Sequence, residues 1–282
     1  MEMPLISVII PCLNAQFVVA TALGSLRVQN CRDFEVIVAD GASTDNTLAI
    51  VESFRTGLPA LRVLSGKDRG VYDGINHAIE VSLGRWIYVL GSDDCLADAG
   101  VLDSVAKQLR LKRADFMYGD VLLGAPIPGA PNAGRYRGET SLENLLQKNI
   151  CQQSIFYSRR LFDHLGLFKL KYRIYADWEF NVRAMALFDS QWIDVAVCNY
   201  AATGMSAHRI DHVFLEDRAM MMAGLVFRKP FNTRILTACW WLRDAATQAL
   251  SAKQYRQALP LHIAAYWLTL YYRFVRFASS AK

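Results

Sequence analysis

The tightest constraint on the fold is an alternation between apolar runs and helical periodicity over the first 120 residues. Residues 5–11 are a continuous apolar run rich in Ile and Val, and residues 17–29 follow with helical spacing. Residues 34–40 (FEVIVAD) predict a second strand, and residues 44–55 a helix with Leu48, Val51 and Phe54 near one face. The alternation continues with a strand over 61–65, a helix over 72–83 that aligns Ile75, Ile79 and Leu83, and a strand over 86–90 (WIYVL). A helix over 101–111 and a strand over 116–123 complete it. Strands alternating with helices predict an α/β fold, a mostly parallel sheet covered on both faces. Apolar runs without polar alternation fit strands buried on both sides.

Residues 124–138 (GAPIPGAPNAGRYRG) read as a loop, rich in Gly, Pro and Ala. Beyond it, 141–148, 160–165 and 177–187 have helical patterns, 191–200 a strand pattern, and everything from Asp211 onward is helical. Charge divides the chain in a similar place. Residues 201–282 hold 11 Lys and Arg against 4 Asp and Glu, whereas residues 1–200 hold 20 against 22. The expected organisation is a domain over 1–208 and a basic, aromatic-rich helical extension over 209–282. Six cysteines at 12, 31, 95, 151, 198 and 239 form no CxxC pair. That disfavours a zinc ribbon, a thioredoxin-type motif and a disulfide framework, and fits a reducing compartment. The first residues lack a basic segment and a cleavage site, and no run approaches the roughly 18 apolar residues a spanning helix needs. A cytoplasmic chain without a membrane span is therefore expected.

In open α/β sheets, ligands bind beyond the carboxyl ends of the strands. Those ends here read Pro11-Cys12-Leu13-Asn14, Asp40-Gly41-Ala42-Ser43-Thr44-Asp45, Lys67-Asp68-Arg69-Gly70 and Gly91-Ser92-Asp93-Asp94. Neither GxGxxG nor GxxxxGK[ST] occurs at them, which disfavours a dinucleotide Rossmann site and a P-loop. Carboxylates alone repel phosphate, but they hold a divalent cation that in turn binds phosphates. A single carboxylate can also accept from a base N–H or a ribose hydroxyl. A nucleotide with Mg²⁺ or Mn²⁺ is the economical occupant.

Val8-Ile9-Ile10-Pro11 with Asn14, then residues 38–45, resemble the opening of family 2 glycosyltransferases with a GT-A fold. Residues 68–76 (DRGVYDGIN) and 84–94 (GRWIYVLGSDD) are similar to the bacterial surface-polysaccharide branch, as are 153–160 (QSIFYSRR) and 175–179 (YADWE), in the right order. Gln152 stands where this branch often has a His. The resemblance implies a donor site lined by Pro11, Asn14, Asp40, Asp68, Arg69, Asp93 and Gln153. In it, Asp40 accepts from the base, Asp68 and Arg69 help hold base, ribose or diphosphate, and Asp93 lies near the ribose. Asp94 is the implied ligand of Mg²⁺ or Mn²⁺. Asp177 is the implied general base, with Glu179 as its substitute. Gln152 and Gln153 are candidates for sugar contacts, and His208 for a metal or diphosphate contact.

Each residue also has a plainer reading. Asp40 ends a strand where Ser43 or Thr44 caps the next helix. Asp68 and Arg69 form a surface turn, Asp73 complements a helix dipole, Asp93 and Asp94 form a polar turn before a helix near Ala97, and Asp177 caps a helix. The resemblance implies inverting transfer of a sugar from a nucleotide-diphosphate donor, UDP-sugars favoured, to a glycan or lipid-linked acceptor in polysaccharide biosynthesis. Two alternatives stand beside it. A sugar-nucleotide pyrophosphorylase would carry a Gly-rich, Arg-containing loop where this chain has Pro11-Cys12-Leu13-Asn14. A non-catalytic scaffold would not need Asp40, Asp93, Asp94 and Asp177 together.

The basic extension places Trp240 and Trp241 between Arg234 and Arg243. In its last helical stretch Ile263, Trp267, Leu270, Phe274 and Phe277 share a face opposite His262, Thr269, Arg273 and Arg276. A wide apolar face with interfacial aromatics and Arg fits an in-plane helix on an anionic membrane surface, at the inner face of the cytoplasmic membrane. Packing on the catalytic domain or on a second subunit is the plainer reading. No nucleic-acid partner is expected, since no such motif occurs and the carboxylate-rich edge repels a phosphate backbone.

Overall fold

Four strands open the architecture: β1 (Ile6–Cys12), β2 (Phe34–Asp40), β3 (Leu61–Ser65) and β4 (Trp86–Val89). The structure, a computed structural model, describes residues 3–111, 113–123, 134–136, 138–201 and 210–218, with single positions at 247, 259, 262–263 and 266–267. The chain divides into two compact units, Met1–Ile210 and Asp211–Lys282. In the second unit a described helical stretch covers 212–218, where Phe214 is buried.

In the first unit β3, β2, β1 and β4 lie side by side, all parallel. Three helices connect them: α1 (Val19–Arg27), α2 (Thr47–Ser53) and α3 (Val71–Val81). The strand order reverses between β1 and β4, which is the switch point where open α/β sheets bind ligands. β4 pairs with β1 only as far as Ile9, while β2 follows β1 to Cys12. Pro11 therefore sits where β1 has already parted from β4, and its missing N–H breaks no pairing on that side.

The sheet continues as β8 (Ile155–Ser158), β6 (Phe116–Leu123), β9 (Ser190–Tyr200) and β5 (Cys95–Leu96), with β7 (Arg135–Tyr136) on β6. β8 runs antiparallel to both β4 and β6, and β9 runs parallel to β6. The helices here are α4 (Val101–Arg110), α5 (Leu142–Gln147), α6 (Arg159–Leu165) and α7 (Ala176–Leu187), with a 3₁₀ turn over Gln152–Ser154. The core on one face joins Val8, Ile10, Val36 and Val38 to Leu23, Leu26, Leu102 and Val105.

Most expected elements are present, with differences at their ends. α1 starts at Val19, because the Ala15 carbonyl accepts the Val18 and Val19 N–H groups in a preceding turn. α2 starts at Thr47, where Asp45 Oδ1 accepts both the backbone N–H and the hydroxyl of Thr47. Asp45 thus takes the capping role expected of Ser43 or Thr44. After Asp94 the chain makes β5 before α4 begins at Val101, rather than a helix near Ala97.

Candidate active site

The loops after β1 and β2 lock together. The Asn14 N–H donates to Ser43 Oγ at 2.8 Å, and Asn14 Oδ1 accepts the Thr44 N–H at 2.9 Å. Both loops contain a left-handed residue, Asn14 at φ 50° and Ala42 at φ 65°. For Ala42 that conformation costs about 1–2 kcal/mol, so the surrounding bonds must impose it. Asp40 supplies two of them, accepting the Ser43 N–H on its oxygens at 3.1 and 3.3 Å. From β3, Ser65 donates its hydroxyl to Asp40 Oδ2 at 2.6 Å. The Cys12 thiol lies 3.8 Å from Asp40 Oδ1, and burial together with the Asp40 charge pushes it up to about 12. It therefore stays a protonated donor.

Asp68 is exposed and leans over the same loop. Its Oδ2 lies 3.1 Å from where a Cβ on either Gly41 or Gly74 would stand, so both glycines make room for it. Its Oδ1 accepts the Gly70 N–H at 3.0 Å. The Arg69 guanidinium is mostly exposed and is gripped by Asp73 in the first turn of α3, through Nη2–Oδ1 at 2.9 Å and Nε–Oδ2 at 3.2 Å. Those hydrogen bonds hold the Asp73 carboxyl down at about 2. Asp73, expected only to complement the helix, also orients Arg69.

The turn after β4 presents Asp93 and Asp94. A Cβ on Gly91 would lie 2.4 Å from Asp94 Oδ2 and 3.0 Å from Asp93 Oδ1, so glycine is required for both carboxylates to fold back over it. Asp94 is 1% exposed. Its Oδ1 accepts the Ala201 N–H at 2.9 Å, just past β9. Its Oδ2 is buried with no hydrogen-bond partner among the described residues. Burial raises the Asp94 carboxyl to about 6, the Asp93 charge acts the same way, and the Ala201 N–H and Gln153 side chain oppose them. Gln153 thus eases the charge on Asp94 while standing outside hydrogen-bond geometry with Oδ2. It accepts the Cys151 thiol on Oε1 at 3.0 Å, and Tyr88 donates to its carbonyl at 3.0 Å. Gln152 Nε2 is likewise buried without a partner.

A buried carboxylate oxygen left unpaired is costly. A divalent cation would relieve that cost, and hard oxygen donors suit Mg²⁺ or Mn²⁺. Among the described residues no cluster of three or more His, Cys, Asp or Glu could hold a metal. Magnesium sites often hold the ion by one or two carboxylates and complete it with substrate phosphates. His208 lies outside the described residues.

Asp177 stands in the first turn of α7, buried, with both oxygens engaged. Tyr72 of α3 donates its hydroxyl to Oδ1 at 2.6 Å, and Asn149 donates Nδ2 to Oδ2 at 2.7 Å. Burial raises the carboxyl above its ordinary value against these bonds. The Cys151 thiol feels the charges of both Asp94 and Asp177, which ties the two carboxylates to one region. Glu179, on the same helix, is bound to other partners. It is fully buried and paired with Lys169 at 2.6 Å and with Arg183 at 2.8 Å, so it is not free to replace Asp177. Tyr72 and Asn149 are absent from the sequence-based list of site residues. Tyr72 lies inside the DRGVYDGIN stretch, but nothing in the spacing of Asn149 links it to Asp177.

The model of a family described as "Glycosyl transferase family 2" matches residues 7–164. The chain belongs to glycosyltransferase family 2. A "PGL/p-HBAD biosynthesis glycosyltransferase" of Mycobacterium bovis is 36% identical over 241 residues, covering 83% of this chain and 88% of that relative. Two solved structures share the GT-A fold of this glycosyltransferase. The first is S. aureus TarS 1–349 in complex with UDP-GlcNAc, with a TM-score of 0.66 and 22% identity over 93% of this chain and 79% of that one. The second is the mannosyltransferase PcManGT from Pyrobaculum calidifontis in complex with GDP-Man and Mn²⁺, with a TM-score of 0.57 and 20% identity over 99% and 84%.

Proposed function

We propose that this glycosyltransferase moves a sugar from a nucleotide-diphosphate donor, with inversion at C1, to a glycan or lipid-linked acceptor in polysaccharide biosynthesis. UDP-sugars are the favoured donors, in line with the UDP-GlcNAc bound by TarS. The observation that carries the reading is the buried, unpaired Oδ2 of Asp94 at the switch-point edge of the sheet. Asp94 would hold Mg²⁺ or Mn²⁺ there, and the bound cation supplies charge that neutralises the departing diphosphate. Pro11, Asn14, Asp40, Asp68 and Asp93 bind the nucleoside, Arg69 meets the diphosphate with its planar fork, and Gln153 faces the donor sugar. Asp177 accepts the proton of the acceptor hydroxyl as that oxygen bonds to C1. The C1–O bond to the diphosphate breaks on the opposite face, and its electron pair leaves with the nucleoside diphosphate.

The test is release of nucleoside diphosphate across a panel of UDP-, GDP- and dTDP-sugars with sugar and lipid acceptors. Asp94→Ala should abolish turnover that depends on Mn²⁺ or Mg²⁺. Asp177→Asn should keep donor binding and lose transfer by about 100-fold or more. Wild-type turnover in Asp177→Asn would remove the base assignment. Release of inorganic diphosphate instead would point to a pyrophosphorylase. No turnover by the wild type, with capture of a partner enzyme, would point to a scaffold.

The same reading gives the 209–282 extension a docking role on an anionic membrane surface at the inner face of the cytoplasmic membrane. Its basic charge and aromatic face support that role. No helix among the described residues is long and apolar enough to cross a membrane.

A further inference from the structure

Asp177 is the end point of a hydrogen-bond chain that runs from the buried Tyr157 and Asn181 through the half-buried Asn149. Tyr157 of β8 donates its hydroxyl to Asn181 Oδ1 at 2.8 Å. Asn181, one turn beyond Asp177 on α7, donates Nδ2 to Asn149 Oδ1 at 2.9 Å. Asn149 then donates Nδ2 to Asp177 Oδ2 at 2.7 Å. Tyr157 and Asn181 are fully buried. Buried polar groups in such a network are expensive unless each is satisfied, and here each link feeds the next.

The direction of the chain is informative. Every donor points toward the carboxylate. Turning either amide around would set a carbonyl oxygen against another acceptor, and at Asn149 against the carboxylate itself. This polarity suits an ionised Asp177 rather than a protonated one. Burial pulls the other way, and the relay opposes it together with Tyr72 and the backbone N–H groups of Asp177 and Trp178. Among the described residues, the titratable groups that feel the Asp177 charge are Tyr72 from α3, Tyr157 from β8 and the Cys151 thiol. Burial pushes all three upward, so they stay neutral while Asp177 titrates. A base is most useful when it is ionised at working pH yet not too weakly basic, and two opposed influences of this kind set that compromise.

We infer that Tyr157, Asn181 and Asn149 are positioning residues that fix the orientation of Asp177 and hold it as the proton-accepting carboxylate. The inference rests on the reading of Asp177 as the base.

The titration that tests the relay needs neither donor nor acceptor. Full-length protein labelled with [¹³C]aspartate is titrated by NMR, and the Asp177 resonance is assigned by its loss in Asp177→Asn. Removing one hydrogen bond to the charged form should raise the midpoint by about one to two pH units, and that is the shift expected for Asn149→Ala. Tyr157→Phe keeps the ring and removes only the far donor, so its midpoint should rise by less. It serves as the second variant if Asn149→Ala does not fold. An unmoved midpoint in the folded variants overturns the relay. Turnover of Asp177→Asn separates the two ideas. If that variant is inactive and the midpoint stays put, only the relay falls. If it turns over like wild type, the base reading and the relay fall together.

Discussion

Gly91 and Gly24 make opposite predictions for the same substitution. A Cβ on Gly91 would stand 2.4 Å from Asp94 Oδ2, so the carboxylate itself must swing away. Gly91→Ala should keep the fold by circular dichroism, weaken the response to added Mn²⁺, and lower turnover about 100-fold, as a misplacement near 1 Å does. Gly24, inside α1, has nothing within 4 Å of its added Cβ. Gly24→Ala should leave turnover alone and stabilise by about 0.5–1 kcal/mol, read by denaturant unfolding. At this scale the acids were legible in the sequence. Asp40, Asp68, Asp93, Asp94 and Asp177 fall at strand ends or a helix start, where polar residues among apolar runs stand out. Their partners were not. Asn149 and Asp177 are 28 positions apart, and Ala201 reaches Asp94 across 107, with no period to connect them.

Helix α7 carries the candidate base, and an aromatic cluster holds that helix in place. Phe180 stacks on Phe162 at 4.7 Å and meets Phe168 at 5.0 Å and Tyr157 edge-on at 5.5 Å. The Trp178 indole N–H fastens the helix to the Leu145 carbonyl at 2.6 Å. Phe180→Ala should cost about 3–5 kcal/mol in denaturant unfolding. Because Phe180 lies between Asp177 and Asn181, the protein that remains folded should also lose turnover. The parallel half of the sheet was readable because each strand is an apolar run bounded by turn residues, and β2 and β3 occupy the expected residues, as does β6 in the mixed half. β8 was not read as a strand. Its four residues pass straight into α6 without a breaking residue, so no punctuation marks it. β5 and β7 span two residues each, too few to show any period, and only their pairing partners make them strands.

The whole chain joins a nearly neutral first part to a strongly basic end. If residues 209–282 dock on an anionic surface, full-length protein should co-sediment with vesicles containing phosphatidylglycerol and release as salt rises. Each Arg near such a surface is worth about 1 kcal/mol, so Arg273→Gln with Arg276→Gln should weaken binding by roughly tenfold or more. Equal binding by that double variant would favour packing on protein instead. The place of β9 in the sheet has a consequence for synthesis. β9 is inserted between β6 and β5, so the strand made last separates two strands made long before. Ribosomes add about 5–20 residues per second, so roughly 5–20 s separate the synthesis of Asp94 from that of Ala201, 107 positions later. A nascent chain that ends between residues 177 and 200 contains Asp40, Asp68, Asp94 and Asp177 but lacks the Ala201 amide that holds Asp94. β9, the last strand among the described residues, supplies the neighbour of the Asp94 carboxylate, so a polypeptide interrupted before it cannot complete this edge of the sheet.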